Sequence, residues 1–226
     1  VSGDLCGTSF PNAIGGWDER RQRTYVYYEA PAGGNGGFRE DDGPNAWGNI
    51  DFGNVRTIQA AEALESGMPL LVERSALRRD SGGEGQLRGG LGMRREVRLL
   101  VGEGRYSALS DRAVIPPFGV GGAGHAAPVK VSVLRDEVEM DFATPGKVTG
   151  YALRAGDVVV MQSAGGGGFG DPLTRDPERV RRDVAAGYIS PERARDGYGV
   201  VLAATAEVDQ TATRARRAEL AAARRR

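Results

Sequence analysis

Residues 80–101, DSGGEGQLRGGLGMRREVRLLV, run a glycine-dense loop straight into an alternating strand, and few folds accommodate that junction. Gly82, Gly83, Gly85, Gly89 and Gly90 have no Cβ, so the loop can turn with positive φ or let another backbone approach closely. Ordering so permissive a segment is entropically costly, so its surroundings must pin it. From Met93 the side chains alternate. Met93, Val97, Leu99 and Val101 share one face, while Arg94, Glu96 and Arg98 share the other. That is the period of a strand with one buried side, and Arg95 on the apolar face is the exception.

Reading outward predicts more strands. Thr24–Ala30 (TYVYYEA) is aromatic and β-branched, and it empties into a second glycine loop, PAGGNGG at 31–37. Pro69–Arg78 and Arg105–Ser110 read as strands, and Val129, Val131 and Val133 alternate with Lys130 and Ser132. Glu137–Phe142 pairs with that strand through Arg135-Asp136. LRAGDVVVMQ (153–162) is a turn followed by an apolar strand, ending in SAGGGGFGDP. Residues 1–23 and 38–53 carry no period and read as loop, and Asn54–Ser66 reads as a short helix stopped by Gly67.

Beyond residue 172 the pattern changes. Asp176-Pro177-Glu178 and Ser190-Pro191-Glu192 are helix starts, with a capping side chain, proline in the first turn and an acid near the positive helix end. Gly187 and Gly197 are the matching stops, and Asp209–Arg226 is an Ala/Arg helix. The expected class is α+β: a β-rich sandwich or barrel-like core with a short C-terminal helical segment. Residues 1–67 read as the glycine-rich N-terminal part of a larger, truncated domain, 68–172 as the β-rich core and 173–226 as the helical segment.

Composition excludes several functions. The 226 residues carry zero formal net charge, so there is no global basic excess for nucleic acid or anionic lipid. The arginines of 176–197 are interleaved with Glu178, Asp183, Glu192 and Asp196, a poor phosphate tracker despite the helix–turn–helix look. No apolar run reaches a membrane-spanning length. The single cysteine, Cys6, excludes an internal disulfide framework and fits a reducing, cytoplasmic setting. No GxxxxGK[ST] loop is present, so GGNGG (33–37) and GGGGF (165–169) are either anion nests or tight turns where backbones pass closely, the latter the simpler reading. A metal site would have to be nearly all carboxylate beside His125 and Cys6, and a Cys-His or Ser-His-Asp unit would need His125. Asp111-Arg112 stands out, after a strand and before a rigid Pro-Pro turn. There an Asp can act as a base and a guanidinium can clamp an oxyanion, or the two can form a structural ion pair. Asn35 and Arg56 have similar standing, whereas Arg88, Arg94, Arg95 and Arg98 read as solvated or interface charges.

Five segments in order then resemble the hydantoinase B/oxoprolinase family: EAPAGGNGG (29–37), NVR with EALE (54–56, 62–65), the DSGGEGQLRGGLG run, SDR with PPFGVGGAG (110–124), and residues 153–202 from LRAGDVVVMQSAGGGGFGDP onward. The family's usual Asn-Thr-Pro before the EALE helix is replaced by Arg56-Thr57-Ile58-Gln59-Ala60. The resemblance is to the C-terminal part of the family's B subunit. It implies an ATP-dependent hydrolase that opens small cyclic amides such as hydantoin, N-methylhydantoin or 5-oxoproline, after a hydantoinase A-type ATP-binding partner has phosphorylated the carbonyl oxygen. A hetero-oligomer follows, with ATP and Mg in the partner and a divalent metal in the B subunit's N-terminal half, neither held by this chain alone. The resemblance places Asp111 and Arg112 as catalytic residues and Gly33, Gly34, Asn35, Gly36 and Gly37 as substrate-binding, with Gly165–Gly168 mainly structural. Alternatives are a subunit of an ATP-dependent acetone or acetophenone carboxylase, and a non-catalytic scaffold fragment.

Overall fold

Alternation becomes pairing in the computed structural model, which describes residues 1–7, 10–47 and 58–224. The strands are β1 (Asn12–Asp18), β2 (Arg23–Glu29), β3 (Leu70–Leu77), β4 (Met93–Leu99), β5 (Glu103–Leu109), β6 (Lys130–Arg135), β7 (Val138–Asp141), β8 (Lys147–Arg154) and β9 (Val158–Gln162). They form two antiparallel sheets, ordered β2-β1-β5-β8 and β3-β4-β9-β6-β7. One apolar cluster joins Ile14, Tyr27 and Tyr106 of the first sheet to Val97, Val133 and Met161 of the second. The sheets therefore face each other as a sandwich, each burying the face that its alternation marks.

Two strands were not visible in the sequence. NAIGGWD (12–18), expected as loop, is β1 in the interior of the first sheet, and KVTGYALR (147–154), of which only the terminal turn was expected, is β8. Gly15, Gly16 and Gly150 depress strand propensity, and pairing with β2 and β5 overrides it. The helix expected over Asn54–Ser66 is α1 (Ala61–Gly67), with Ile58, Gln59 and Ala60 ahead of it; positions 54–57, Arg56 among them, lie outside the described residues. The β6–β7 turn is made by Asp136 and Glu137, both at positive φ, one residue later than expected.

The C-terminal helices begin where their caps sit. Asp176 starts α2 (Pro177–Ala185), Ser190 starts α3 (Pro191–Gly197) and Asp209 starts α4 (Gln210–Ala223). Each cap side chain accepts a backbone N–H of the first turn. A second small core of Val180, Ile189, Ala194, Tyr198 and Val200 holds these helices together.

The glycine loops form neither nests nor simple turns. Gly34 and Gly37 donate to the carbonyls of Ala164 and Gly167, Gly165 and Gly168 donate to those of Ala127 and Gly124, and Cys6 and Gly3 donate to those of Gly34 and Gly37. Each pair of bonds repeats after three residues, the period of an extended polyproline II helix, which makes no internal hydrogen bonds and must find partners sideways. Segments 3–6, 33–37, 124–127 and 164–168 thus run side by side. At Gly166 only glycine fits between them: an added Cβ would lie 1.9 Å from the Asn35 carbonyl oxygen.

Candidate functional site

The Gly3–Gly7 segment joins the two groups of residues singled out in the sequence. On one side it hydrogen-bonds Gly34 and Gly37. On the other, Asp4 Oδ2 lies 2.6 Å from Arg112 Nη2, and Gly7, at φ +101, packs against the Asp111 carboxylate. Arg112 itself sits at φ +54, an uncommon conformation for a side-chain-bearing residue, and its carbonyl accepts from Val129 N at 3.0 Å. Asp111 is exposed and Arg112 half-buried.

Asn35 is half-buried, and Gly33, Gly34, Gly36 and Gly37 are buried in the stack. The N–H groups of Gly34, Asn35 and Gly37 go to the carbonyls of Ala164, Pro44 and Gly167, and Cys6 packs directly on Gly33. His125 is exposed on its loop, where Nδ1 accepts from Gly119 N at 3.3 Å, while Cys6 is buried with its thiol 3.7 Å from the Gly7 carbonyl.

Asp111 and Arg112 open onto a groove of two pockets. One, of about 330 Å³, contains Asp111, Arg112, Ile115 and Lys147. The other, of about 370 Å³, contains Arg78, Val129, Val131 and Phe142. Ala113 and Pro145 line both, so the two adjoin.

Two of the arginines expected as solvated or interface charges are buried within the chain. Arg95 is 2% exposed; its Nε lies 2.6 Å from Glu29 Oε2, and its other nitrogens donate to Ser75 Oγ and the Gln59 carbonyl. Tyr27 donates its hydroxyl to the same Glu29, and burial, then the Glu29 charge, raises the phenol well above its ordinary value. The interruption of alternation at Arg95 was the available signal: a guanidinium on a core face requires an acid opposite. Arg88 is 3% exposed and belongs to a second buried cluster. There Arg175 bonds Asp42 at 2.7 and 2.8 Å and Asp183 at 2.7 Å, fastening the helical segment to the glycine loops. Nothing local marked that cluster, whose partners lie up to 133 residues apart. Arg94 and Arg98 remain partly exposed, paired with Glu96 and Glu73.

Among the described residues no three His, Cys, Asp or Glu side chains converge to hold a metal ion. The divalent metal that the resemblance places in the B subunit's N-terminal half has no such donor set among them. No helix among them is long and apolar enough to cross a membrane.

Comparison with known proteins bears on the same segments. A family model described as hydantoinase B/oxoprolinase matches residues 1–172. The crystal structure of an ATP-dependent caprolactamase from Pseudomonas jessenii superposes with a TM-score of 0.86 at 31% identity, covering 96% of this chain and 38% of that one. A 5-oxoprolinase from Pestalotiopsis fici is 31% identical over 198 residues, 85% of this chain and 14% of its own. The acetophenone carboxylase delta subunit of Aromatoleum aromaticum is 32% identical over 204 residues, 76% of this chain and 29% of its own. The chain spans less than a third of the length of the curated relatives it matches.

Proposed function

The chain belongs to the hydantoinase B/oxoprolinase family, and we propose that it is the C-terminal, β-rich portion of the B subunit of an ATP-dependent hydrolase that opens small cyclic amides. The observation that carries this reading is the similarity to the ATP-dependent caprolactamase over 96% of the chain. A lactam carbonyl resists water because the ring nitrogen donates into it. Phosphorylation of the carbonyl oxygen by an A-type partner removes that resistance: water adds to the carbon, the ring C–N bond of hydantoin, N-methylhydantoin or 5-oxoproline breaks with the nitrogen leaving protonated, and a second water releases phosphate from the resulting acyl phosphate.

The contribution of this chain lies at the Asp111–Arg112 end of the groove. Arg112, held against Asp4, orients an oxygen that gains negative charge, and Asp111 accepts a proton from the attacking water. Gly33, Gly34, Asn35, Gly36 and Gly37 act through the rigid backbone that fixes Gly3–Gly7, and so fix the position of Arg112. ATP with Mg belongs to the A-type partner. A second reading, a ketone carboxylase subunit, rests on the similarity to the acetophenone carboxylase subunit.

The test assembles this chain, within its complete B subunit, with an A-type subunit and supplies ATP, a divalent metal and each substrate. Ring-opened product and ADP should appear together, and Asp111→Asn should lower kcat by about 100-fold or more while the fold is retained. Bicarbonate-dependent carboxylation of acetone or acetophenone without ring opening would replace the hydrolase reading with the carboxylase one.

A further inference from the structure

Arg78 follows β3 and is fixed by its backbone, its N donating to the Gly92 carbonyl and its carbonyl accepting from Ser81 Oγ. Its side chain points into the larger pocket of the groove, where Nη1 donates to the carbonyls of Pro128 and Ser163 at 2.5 and 3.1 Å. Arg78 is half-buried, and the more deeply buried guanidiniums named above each have an acid: Arg95 has Glu29, Arg175 has Asp42 and Asp183, and Arg88 has Asp183. Among the described residues no carboxylate lies within ion-pair distance of Arg78. Burial, and secondarily the charge of Arg94, pulls its pKa down to about 10, the direction expected of a desolvated cation without a counter-charge.

The rest of the pocket does not supply one. Asp141 also lines it, but it is paired with Lys130 at 3.2 Å, and Lys130 is in turn paired with Glu139 at 3.0 Å. The remaining wall is apolar: Val129, Val131, Phe142, Ala113 and Pro145. Lys130 lines the pocket beside Asp141, so a cavity of about 370 Å³ holds one ion pair, one guanidinium outside any ion pair and an apolar wall, the size and polarity of a small-molecule site.

We propose that Arg78 anchors the carboxylate of a small ligand whose apolar body packs on Phe142 and Val129. Resting on the cyclic-amide reading, this selects lactams that carry a carboxylate on the ring, the class of 5-oxoproline, over neutral lactams. The two free edges of the guanidinium, Nε and Nη2, supply charge-assisted hydrogen bonds.

The experiment titrates the 226-residue chain, observed by NMR, with three probes: 5-oxoproline, 2-pyrrolidinone (the same ring without the carboxylate) and cyclopentanecarboxylate (the carboxylate without the amide). The two acids should bind roughly 10- to 100-fold more tightly than 2-pyrrolidinone, the discrimination expected of a charged hydrogen bond. Arg78→Gln should abolish that preference. Because Arg78 also ties Pro128 to Ser163, a second variant, Ala113→Asp, leaves those ties in place and adds a carboxylate to the lining of the same pocket; it should abolish the preference too. Equal binding of acid and neutral probes to the unaltered chain, or an unchanged preference in both variants, overturns the assignment. Tight binding of both acids with no lactam turned over by the assembled complex keeps the Arg78 site and discards the cyclic-amide reading. Ring opening of 5-oxoproline with unchanged KM in Arg78→Gln does the reverse.

Discussion

Gly89→Ala is the sharpest probe of the glycine stack. A Cβ at Gly89 would lie 1.8 Å from the Gly166 carbonyl oxygen and 2.5 Å from its carbon, backbone atoms that cannot rotate aside. Reaching an ordinary contact of 3.4 Å requires the two segments to part by about 1.6 Å. That displacement breaks Gly166 N to Gly90 O and Gly83 N to Gly166 O, both 2.9 Å. Overpacking costs at least ~1 kcal/mol. Each buried backbone group left without a partner adds at least ~1 kcal/mol, so the total is about 3 kcal/mol or more. For a domain of this size that lowers Tm by roughly 6–12 °C. The control is Gly67→Ala, in the last turn of α1 with nothing within 4 Å of the added methyl, where the change should stay within ~1 kcal/mol and favour the folded state. Urea unfolding followed by circular dichroism measures both. A Gly89→Ala chain within about 0.5 kcal/mol of the unaltered one would refute the close packing of these backbones.

Removing one partner of the buried pair, as in Glu29→Met, should cost ~3–5 kcal/mol in urea unfolding, and adding Arg95→Met should recover most of it. Burial pushes the Asp42 carboxyl up, but the hydrogen bonds and charge of Arg175, with Arg88 behind them, prevail and hold it below its ordinary 3.8. A folded-state pKa below the unfolded one means that the contribution is complete above pH ~4 and is lost as pH falls through the folded value. Acid titration monitored by hydrogen exchange should therefore release the α2–α4 segment early, and Asp42→Asn should weaken the segment at neutral pH and flatten that acid limb. Glu137 holds positive φ in a two-residue hairpin turn, so Glu137→Gly, giving an Asp-Gly turn, should stabilise the chain by ~0.5 kcal/mol, read as a raised urea midpoint.

Elements whose cause is local were legible in the chain alone. The alternation of β4, the aromatic run of β2 and the capped starts of α2 and α3 each depend on residues a few positions apart, as do the ordered motifs that signal the family. The rest depends on contacts between distant parts of the chain. β1 exists because β2 and β5 flank a glycine-bearing segment of poor propensity, and Arg95 is tolerated in the core because Glu29 stands opposite it. Asp111–Arg112 was legible as a candidate from its turn, but its union with Gly33–Gly37 through Gly3–Gly7, and with Arg78 across Ala113 and Pro145, was not. A glycine records only that something must come close. Which backbone comes close, and which charge is left facing an apolar cavity, is settled by chain brought in from many residues away.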